Sequence, residues 1–137
     1  MRFRWIGDGD EDLREVLEDA GVEVTGWLDR AELRRTLLAS DLMLHTATWE
    51  GFPVSVVDAA ALDLPVVARA IAPLTAEGVL TVEDDDALAD AVLAALDDEP
   101  FRHDLIRRSQ EITHRMSRSE QSRRISALYA DLLGGTA

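Results

Sequence analysis

The stretch from His45 to Ala68 constrains the fold most, because a strand, a polar corner, a helix and a second strand follow one another there. An apolar run over 42–44 ends at His45, and an apolar segment over 65–68 follows the helix. Pro53 suits the first helical position because its φ is fixed and it carries no N–H. Spacing of the type i, i+3, i+4, i+7 predicts this buried helix face: Val57, Ala60, Ala61 and Leu64.

The same alternation runs through the whole chain and predicts an α/β class. Short strands separated by helices are typical of a Rossmann-like parallel sheet flanked by helices, here with about five strands. The predicted strands cover residues 3–6, 22–24, 41–45, 65–68 and 79–82. Residues 69–78 lack a clear period and are expected to form a loop. The last helix, expected over 118–134, fraying at Gly134–Gly135, places these residues on one face: Ile125, Leu128, Tyr129, Leu132 and Leu133.

Length and composition exclude several classes. The 137 residues are expected to form a single domain with its own core. A net charge of −13 argues against non-specific nucleic-acid binding, which needs a cationic face. There is no cysteine, and therefore no disulfide framework or zinc–thiolate site. No transmembrane segment or signal peptide is recognised, so a cytoplasmic protein is expected.

Glycines and a carboxylate follow three of the predicted strands. Gly7 and Gly9 come after the first strand, Gly26 after the second, and Glu50 shortly after His45 at the end of the third. In parallel α/β sheets, ligands bind outside the carboxyl ends of the strands. The order of the chain therefore predicts that these residues share one rim.

Three ordered motifs resemble those of retaining GT-B glycosyltransferases, in particular family 4. The first is Glu50–Gly51–Phe52–Pro53, with Asp58 eight positions after Glu50 and Pro65–Val66–Val67–Ala68 after the helix. The others are Trp5–Ile6–Gly7–Asp8–Gly9 and Val24–Thr25–Gly26–Trp27–Leu28. The resemblance covers nearly the whole chain but only the C-terminal, donor-binding half of that family. It implies a GT-B C-terminal half without its first strand, whose place is taken by direct pairing of the flanking strands or by another chain.

The resemblance implies that residues 1–137 are the nucleotide-sugar-binding domain of a retaining transferase that moves a hexosyl group to an acceptor. The nucleotide sugar is then a substrate, and neither a metal nor another cofactor is expected. The acceptor-binding domain would lie in a missing N-terminal part or in another chain, so the isolated chain is expected to be inactive. Homodimer formation and a peripheral membrane location of the full enzyme are left open.

The resemblance also implies roles for individual residues. Glu50 would accept hydrogen bonds from donor-sugar hydroxyls, the alternative being a solvated loop acid. Asp58 would meet the ribose, the alternative being a solvated helix residue. The helix start would present backbone N–H groups to the diphosphate, with Pro53 supplying none, at Gly51, Phe52, Val54 and Ser55.

Other candidates carry a structural alternative of equal or greater weight. Gly7 and Gly9 would let the backbone approach the donor, or would serve only the turn. His45 ends a strand on the same rim, where a lone histidine is more often structural. Trp27 would stack on a base or be buried. The acidic run 83–86 resembles a metal cluster but is explained more simply as the start of a helix.

Several positions depart from the family pattern. The second carboxylate is Asp58 rather than Glu, and Asp63 stands where glycine is usual at the helix end. The segment 69–74 has no glycine, and Arg69 is the one cation there, a candidate replacement for a lost phosphate ligand. A degenerate, non-catalytic GT-B half that serves binding or assembly is therefore the rival hypothesis. A sugar-nucleotide epimerase would need an acid/base set that we do not find.

Overall fold

The structure is a computed structural model and describes residues 1–134, so the fraying predicted at Gly135 falls outside the described residues. Over these residues short strands alternate with helices. The strands are β1 (Phe3–Trp5), β2 (Val22–Val24), β3 (Met43–His45), β4 (Val66–Arg69) and β5 (Leu80–Val82). The helices are α1 (Glu11–Asp19), α2 (Arg30–Leu38), α3 (Val54–Ala60), α4 (Ala72–Ala76), α5 (Asp85–Asp97), α6 (Glu99–Arg115) and α7 (Arg118–Gly134).

The strands pair in parallel and lie in two sheets. In the first, β1 pairs with β2, and Phe3 lies opposite Val22. In the second, the order is β3–β4–β5, with His45 opposite Ala68 and Arg69 opposite Val82. The first sheet belongs to a unit over 1–39 and the second to a unit that begins at residue 40. The predicted α/β class with about five parallel strands is confirmed.

The core of the second unit lies between β4 and the helices α5 and α6. Val67, Leu88, Ala95 and Leu105 form one buried cluster. Helix α6 contributes a polar tie as well, because the buried hydroxyl of Ser109 donates to the Leu64 carbonyl over 2.9 Å. Burial of apolar surface and satisfaction of buried carbonyls together position β4 and the segments that follow the strands.

The buried face of α3 differs from the predicted one. Ala61 is exposed and Val57 half-buried, whereas Leu64 is buried as expected. The residues of α3 that are buried are Val56, Ala59 and Ala60. The predicted set is displaced by one residue along α3, because Val56, Ala59 and Ala60 fit the same i, i+3, i+4 spacing. Asp63 then adopts a left-handed conformation (φ 55°), which redirects the chain toward the core.

The loop predicted over residues 69–78 is wrong, because α4 occupies its middle. Pro73 stands in the first turn of this helix, where a missing N–H costs nothing. Leu74 is fully buried, and the Thr75 hydroxyl donates to the Ile71 carbonyl over 3.2 Å. A helix of five residues is too short to show a period in the sequence.

Within the described residues, four helix starts carry side-chain caps. Asp29 and Glu32 form a complete capping box at α2. Asp84 accepts from the Ala87 N–H at α5, and Asp98 accepts from the Phe101 N–H at α6. At the start of α7 the Ser117 hydroxyl accepts from the Glu120 N–H, which is one of the two hydrogen bonds of a capping box. The apolar residues predicted to share one face of α7 are all exposed: Ile125, Leu128, Tyr129, Leu132 and Leu133.

We expect Asp63→Gly to stabilise the protein by about 0.5 kcal/mol. Glycine relieves the left-handed strain at this position, which exceeds the entropy that glycine adds to the unfolded chain. Urea unfolding measures the change. The control is Asp90→Gly in the exposed middle of α5, which should destabilise by about 0.3 kcal/mol because glycine is a poorer helix former than aspartate. A loss of stability in Asp63→Gly would contradict the left-handed assignment.

Candidate functional site

His45 ends β3 and is buried, with 8% of its surface exposed. Its Nδ1 atom is inaccessible and makes no hydrogen bond within the described residues. Burial lowers the pKa of His45, while the nearby Glu50 carboxylate opposes that shift. The strand end therefore holds a neutral imidazole whose Nδ1 is enclosed by the protein.

The loop that follows His45 is held in place by Arg69, the last residue of β4. The Arg69 Nε donates to the Thr46 carbonyl over 3.0 Å, and its Nη2 pairs with Asp85 at the start of α5. Arg69 therefore already binds two groups of the protein, and these contacts hold the loop after His45 in position. The pairing with Asp85 was missed in the sequence, although both residues follow neighbouring parallel strands whose ends meet at one edge.

The corner itself is open. Glu50 and Gly51 are exposed, while Phe52 is half-buried and Pro53 is buried and anchors the corner. Trp49, beside Glu50, is 86% exposed and was not singled out in the sequence. A carboxylate next to an accessible aromatic face can accept hydrogen bonds from hydroxyls and offer a stacking surface to a ring.

Asp58 lies on the exposed face of α3. Val54, Asp58 and Ala61 share this face at i, i+4 and i+7, opposite the buried residues of the helix. Pro53 is the N-cap and no side chain caps the helix start. The helix has seven residues, so its dipole is short. The structure thus places the predicted residues from His45 to Asp58 in one strand–loop–helix segment.

The other predicted glycines belong to the unit over 1–39. Gly7 has φ 135° and forms an isolated antiparallel bridge with Gly26, a conformation that glycine allows. The Gly9 N–H donates to the Asp8 carboxylate over 3.0 Å. In the same unit Trp27 is 84% exposed, so its interpretation as a buried aromatic is wrong.

The acidic run 83–86 serves the start of α5. Asp84 caps the helix and Asp85 pairs with Arg69. Within residues 1–134 no cluster of three or more histidine, aspartate or glutamate side chains is arranged to hold a metal ion. The described helices include none with the length and apolarity needed to cross a bilayer.

His45 predicts a pH dependence of stability. Because burial lowers its pKa below the ordinary 6.5, the unfolded chain binds this proton more readily than the folded one. The free energy of unfolding is therefore expected to fall as the pH drops below about 6.5. Urea unfolding between about pH 7.5 and 5 measures this slope.

The matched variants for this slope are His45→Gln, which should remove it, and His103→Gln on the exposed side of α6, which should retain it. Glu120, held by Arg123 and Arg124, has its pKa lowered to about 2, so in the folded chain it titrates below this window. An unchanged slope in His45→Gln would place the titrating group elsewhere.

The family model described as "Glycosyl transferases group 1" matches residues 1–98. A curated protein of Klebsiella pneumoniae, named "Uncharacterized 41.2 kDa protein in cps region", is 35% identical over 72 residues. That alignment covers 53% of this chain and 20% of the relative. The chain therefore spans about a fifth of the curated relative that it matches.

Solved structures match nearly the whole chain. Sucrose-phosphate synthase of Thermosynechococcus elongatus aligns with a TM-score of 0.75 at 19% identity, covering 97% of this chain and 39% of that one. Anabaena HepE, solved in complex with UDP-glucose, gives 0.75 at 21% identity, covering 95% and 41%. A chain of the GtfA/B complex gives 0.70 at 20% identity, covering 98% and 29%. These matches establish the fold shared with this chain.

Proposed function

Because this chain belongs to the group 1 glycosyl transferases, we propose that it is the nucleotide-sugar-binding domain of a retaining transferase that moves a hexosyl group. The predicted resemblance to the C-terminal domain of GT-B enzymes is confirmed by the family and by the fold. The donor site lies at the His45–Asp58 segment. The nucleotide sugar enters as substrate, and no resident cofactor takes part.

One observation carries this proposal: the exposed Glu50 carboxylate lies in the loop at the carboxyl end of β3, beside the accessible ring of Trp49. Sugar hydroxyls can donate to the carboxylate while the sugar ring stacks on the indole. An apolar ligand would leave the carboxylate without a partner.

The neighbouring residues supply the rest of the proposed site. Asp58 accepts from ribose hydroxyls, and Trp49 offers a stacking surface at the mouth. The backbone N–H groups of Gly51, Phe52, Val54 and Ser55 meet the diphosphate. Arg69 keeps the loop in position through Thr46 rather than touching the donor.

Calorimetry tests the proposal with UDP-glucose, the ligand of the HepE structure, and with a panel of nucleoside diphosphates and their sugars. We expect one of these to bind and to shift the amide signals of His45 and Glu50 in NMR spectra. Silence across the panel, under conditions in which the protein is folded, would overturn the donor-site assignment.

Acceptor binding and turnover are proposed to need further chain. This chain spans 20% to 41% of the relatives above, and one of them is a chain of a complex. An N-terminal acceptor domain or a partner chain would complete the site, and transfer activity of the isolated chain would contradict this. Homodimer formation, a cytoplasmic location and an approach of Gly7 and Gly9 to the donor stay predictions.

A non-catalytic binding or assembly module is the second candidate. It is favoured by the engagement of Arg69 with Asp85 and by the absence of glycine from residues 69–74. The two functions differ in one measurement. A module that retains only assembly would not bind any nucleotide sugar, whereas a donor domain would.

A further inference from the structure

An open cavity of about 430 Å³ lies among the turn between α4 and β5, helix α6 and the start of α7. Its charged lining residues are Arg107, Arg108, Arg115, Arg124, Glu77 and Glu111. Gly78 precedes β5, so the cavity is at the amino end of that strand. Glu50 and Asp58 follow the carboxyl end of β3, which makes this a location separate from the proposed donor site.

Two of the arginines are oriented by a shared carboxylate. Asp104 accepts from the Arg107 Nη2 over 2.5 Å and from the Arg108 Nε over 2.7 Å, which lowers the pKa of Asp104. Glu111 holds the other side of Arg107. The Arg108 Nη1 reaches the Gly78 carbonyl over 3.3 Å. These bonds fix the direction of both side chains at the cavity wall.

The other two arginines approach from different elements. The Arg115 Nε donates to the Glu77 carboxylate over 3.0 Å, and its Nη2 donates to the Glu77 carbonyl. On α7, the Arg124 Nε donates to Glu120 over 3.0 Å. Arg115 on α6 and Arg124 on α7 are therefore held at the wall of the cavity by Glu77, the C-cap of α4, and by Glu120 on α7.

Hydrogen-bonding capacity remains after these bonds are made. Within residues 1–134, the Arg108 Nη2, the Arg115 Nη1 and both Nη atoms of Arg124 make no hydrogen bond. The four guanidinium groups are paired with four carboxylates, of which Glu77 and Glu111 line the cavity and Asp104 and Glu120 stand behind it. The cavity therefore offers a ligand unused N–H groups rather than an excess of positive charge.

We propose that this cavity binds a phosphoryl dianion, either as free phosphate or as the phosphate monoester of a larger molecule. The several acceptor oxygens of a phosphate match the unused guanidinium donors that converge from α6 and α7. A guanidinium group can bind a phosphate through two parallel N–H···O hydrogen bonds. The ordering of each arginine by a neighbouring carboxylate reduces the entropy lost on binding.

An NMR titration with inorganic phosphate tests the proposal, with the amide signals of Glu77 and Gly78 as the readout. We expect these signals to shift, and the affinity to fall as sodium chloride is added. Arg124→Gln should weaken binding about tenfold, because two free donors and a charge are lost. The phosphate affinity of Arg124→Lys should lie between those of the unmodified chain and Arg124→Gln, because lysine keeps the charge but lacks the planar guanidinium group.

Arg123→Gln is the matched control. Arg123 also pairs with Glu120 and stands beside Arg124, but it does not line the cavity. We expect its phosphate affinity to stay within about twofold of the unmodified chain. Thermal unfolding of each variant shows that the fold is retained.

A second arm separates the sources of the phosphoryl group. Sedimentation with phosphatidylcholine vesicles that contain phosphatidic acid measures capture of a lipid phosphate monoester, with pure phosphatidylcholine as the blank. Binding in either arm that is lost in Arg124→Gln supports the site and identifies the source. Shifts confined to residues 51–55, binding unchanged in Arg124→Gln, or no binding in both arms would each overturn it.

Discussion

Glu50→Gln is expected to weaken the binding of UDP-glucose by about 10- to 100-fold and to leave the binding of UDP unchanged. The reason is that Glu50 is proposed to contact the sugar alone, through hydrogen bonds to hydroxyls that the charged carboxylate accepts strongly. Glutamine keeps the size of the side chain but loses the charge and one acceptor oxygen. Calorimetry with both ligands on the same variant separates the sugar contribution from the nucleotide contribution.

Asp58→Asn is the complementary variant, because its proposed partner is the ribose. It should weaken UDP and UDP-glucose by the same factor. Glu99→Gln, an exposed carboxylate at the start of α6, should change neither affinity. Equal losses for UDP and UDP-glucose in Glu50→Gln would assign Glu50 to the nucleotide, and no loss would leave it a solvated loop acid.

Leu105→Ala is expected to destabilise the unit that begins at residue 40 by about 3 kcal/mol. Leu105 is 1% exposed on α6 and belongs to the cluster with Val67 and Leu88. Truncation removes buried methyl groups and leaves a cavity that the sheet and two helices cannot fill without moving. Urea unfolding followed by far-ultraviolet circular dichroism measures the loss.

Leu93→Ala on α5 is the control for this truncation, since the same side chain there is 48% exposed. It should cost well under half as much because little transfer free energy is lost. Similar losses in both variants would mean that Leu105 does not lie in the core.

The local motifs were readable from the sequence because short-range chemistry decides them. Asp29 and Asp84 cap the helices that they precede, and Asp63 takes the left-handed conformation at the position where the family pattern has glycine. Each depends on a side chain acting on the backbone a few residues away. The order of strands and helices followed from apolar spacing in the same way.

The predictions failed where the helices are short. Helix α4 has five residues, less than two turns, so it shows no recognisable period. Helix α3 has seven residues, and the helical spacing fits both the set Val56, Ala59 and Ala60 and the set one residue later, Val57, Ala60 and Ala61. Burial in the structure distinguishes the two sets and selects the first.

The chain by itself determined the α/β class, the family motifs and the presence of Glu50 and Asp58 in a strand–corner–helix segment. Only the tertiary structure decided that His45 is buried with a free Nδ1, that Arg69 bridges Thr46 and Asp85, and that arginines of α6 and α7 surround one cavity. The physical reason is range: caps and periods act within a few residues, whereas burial and ion pairing depend on which distant segments pack together.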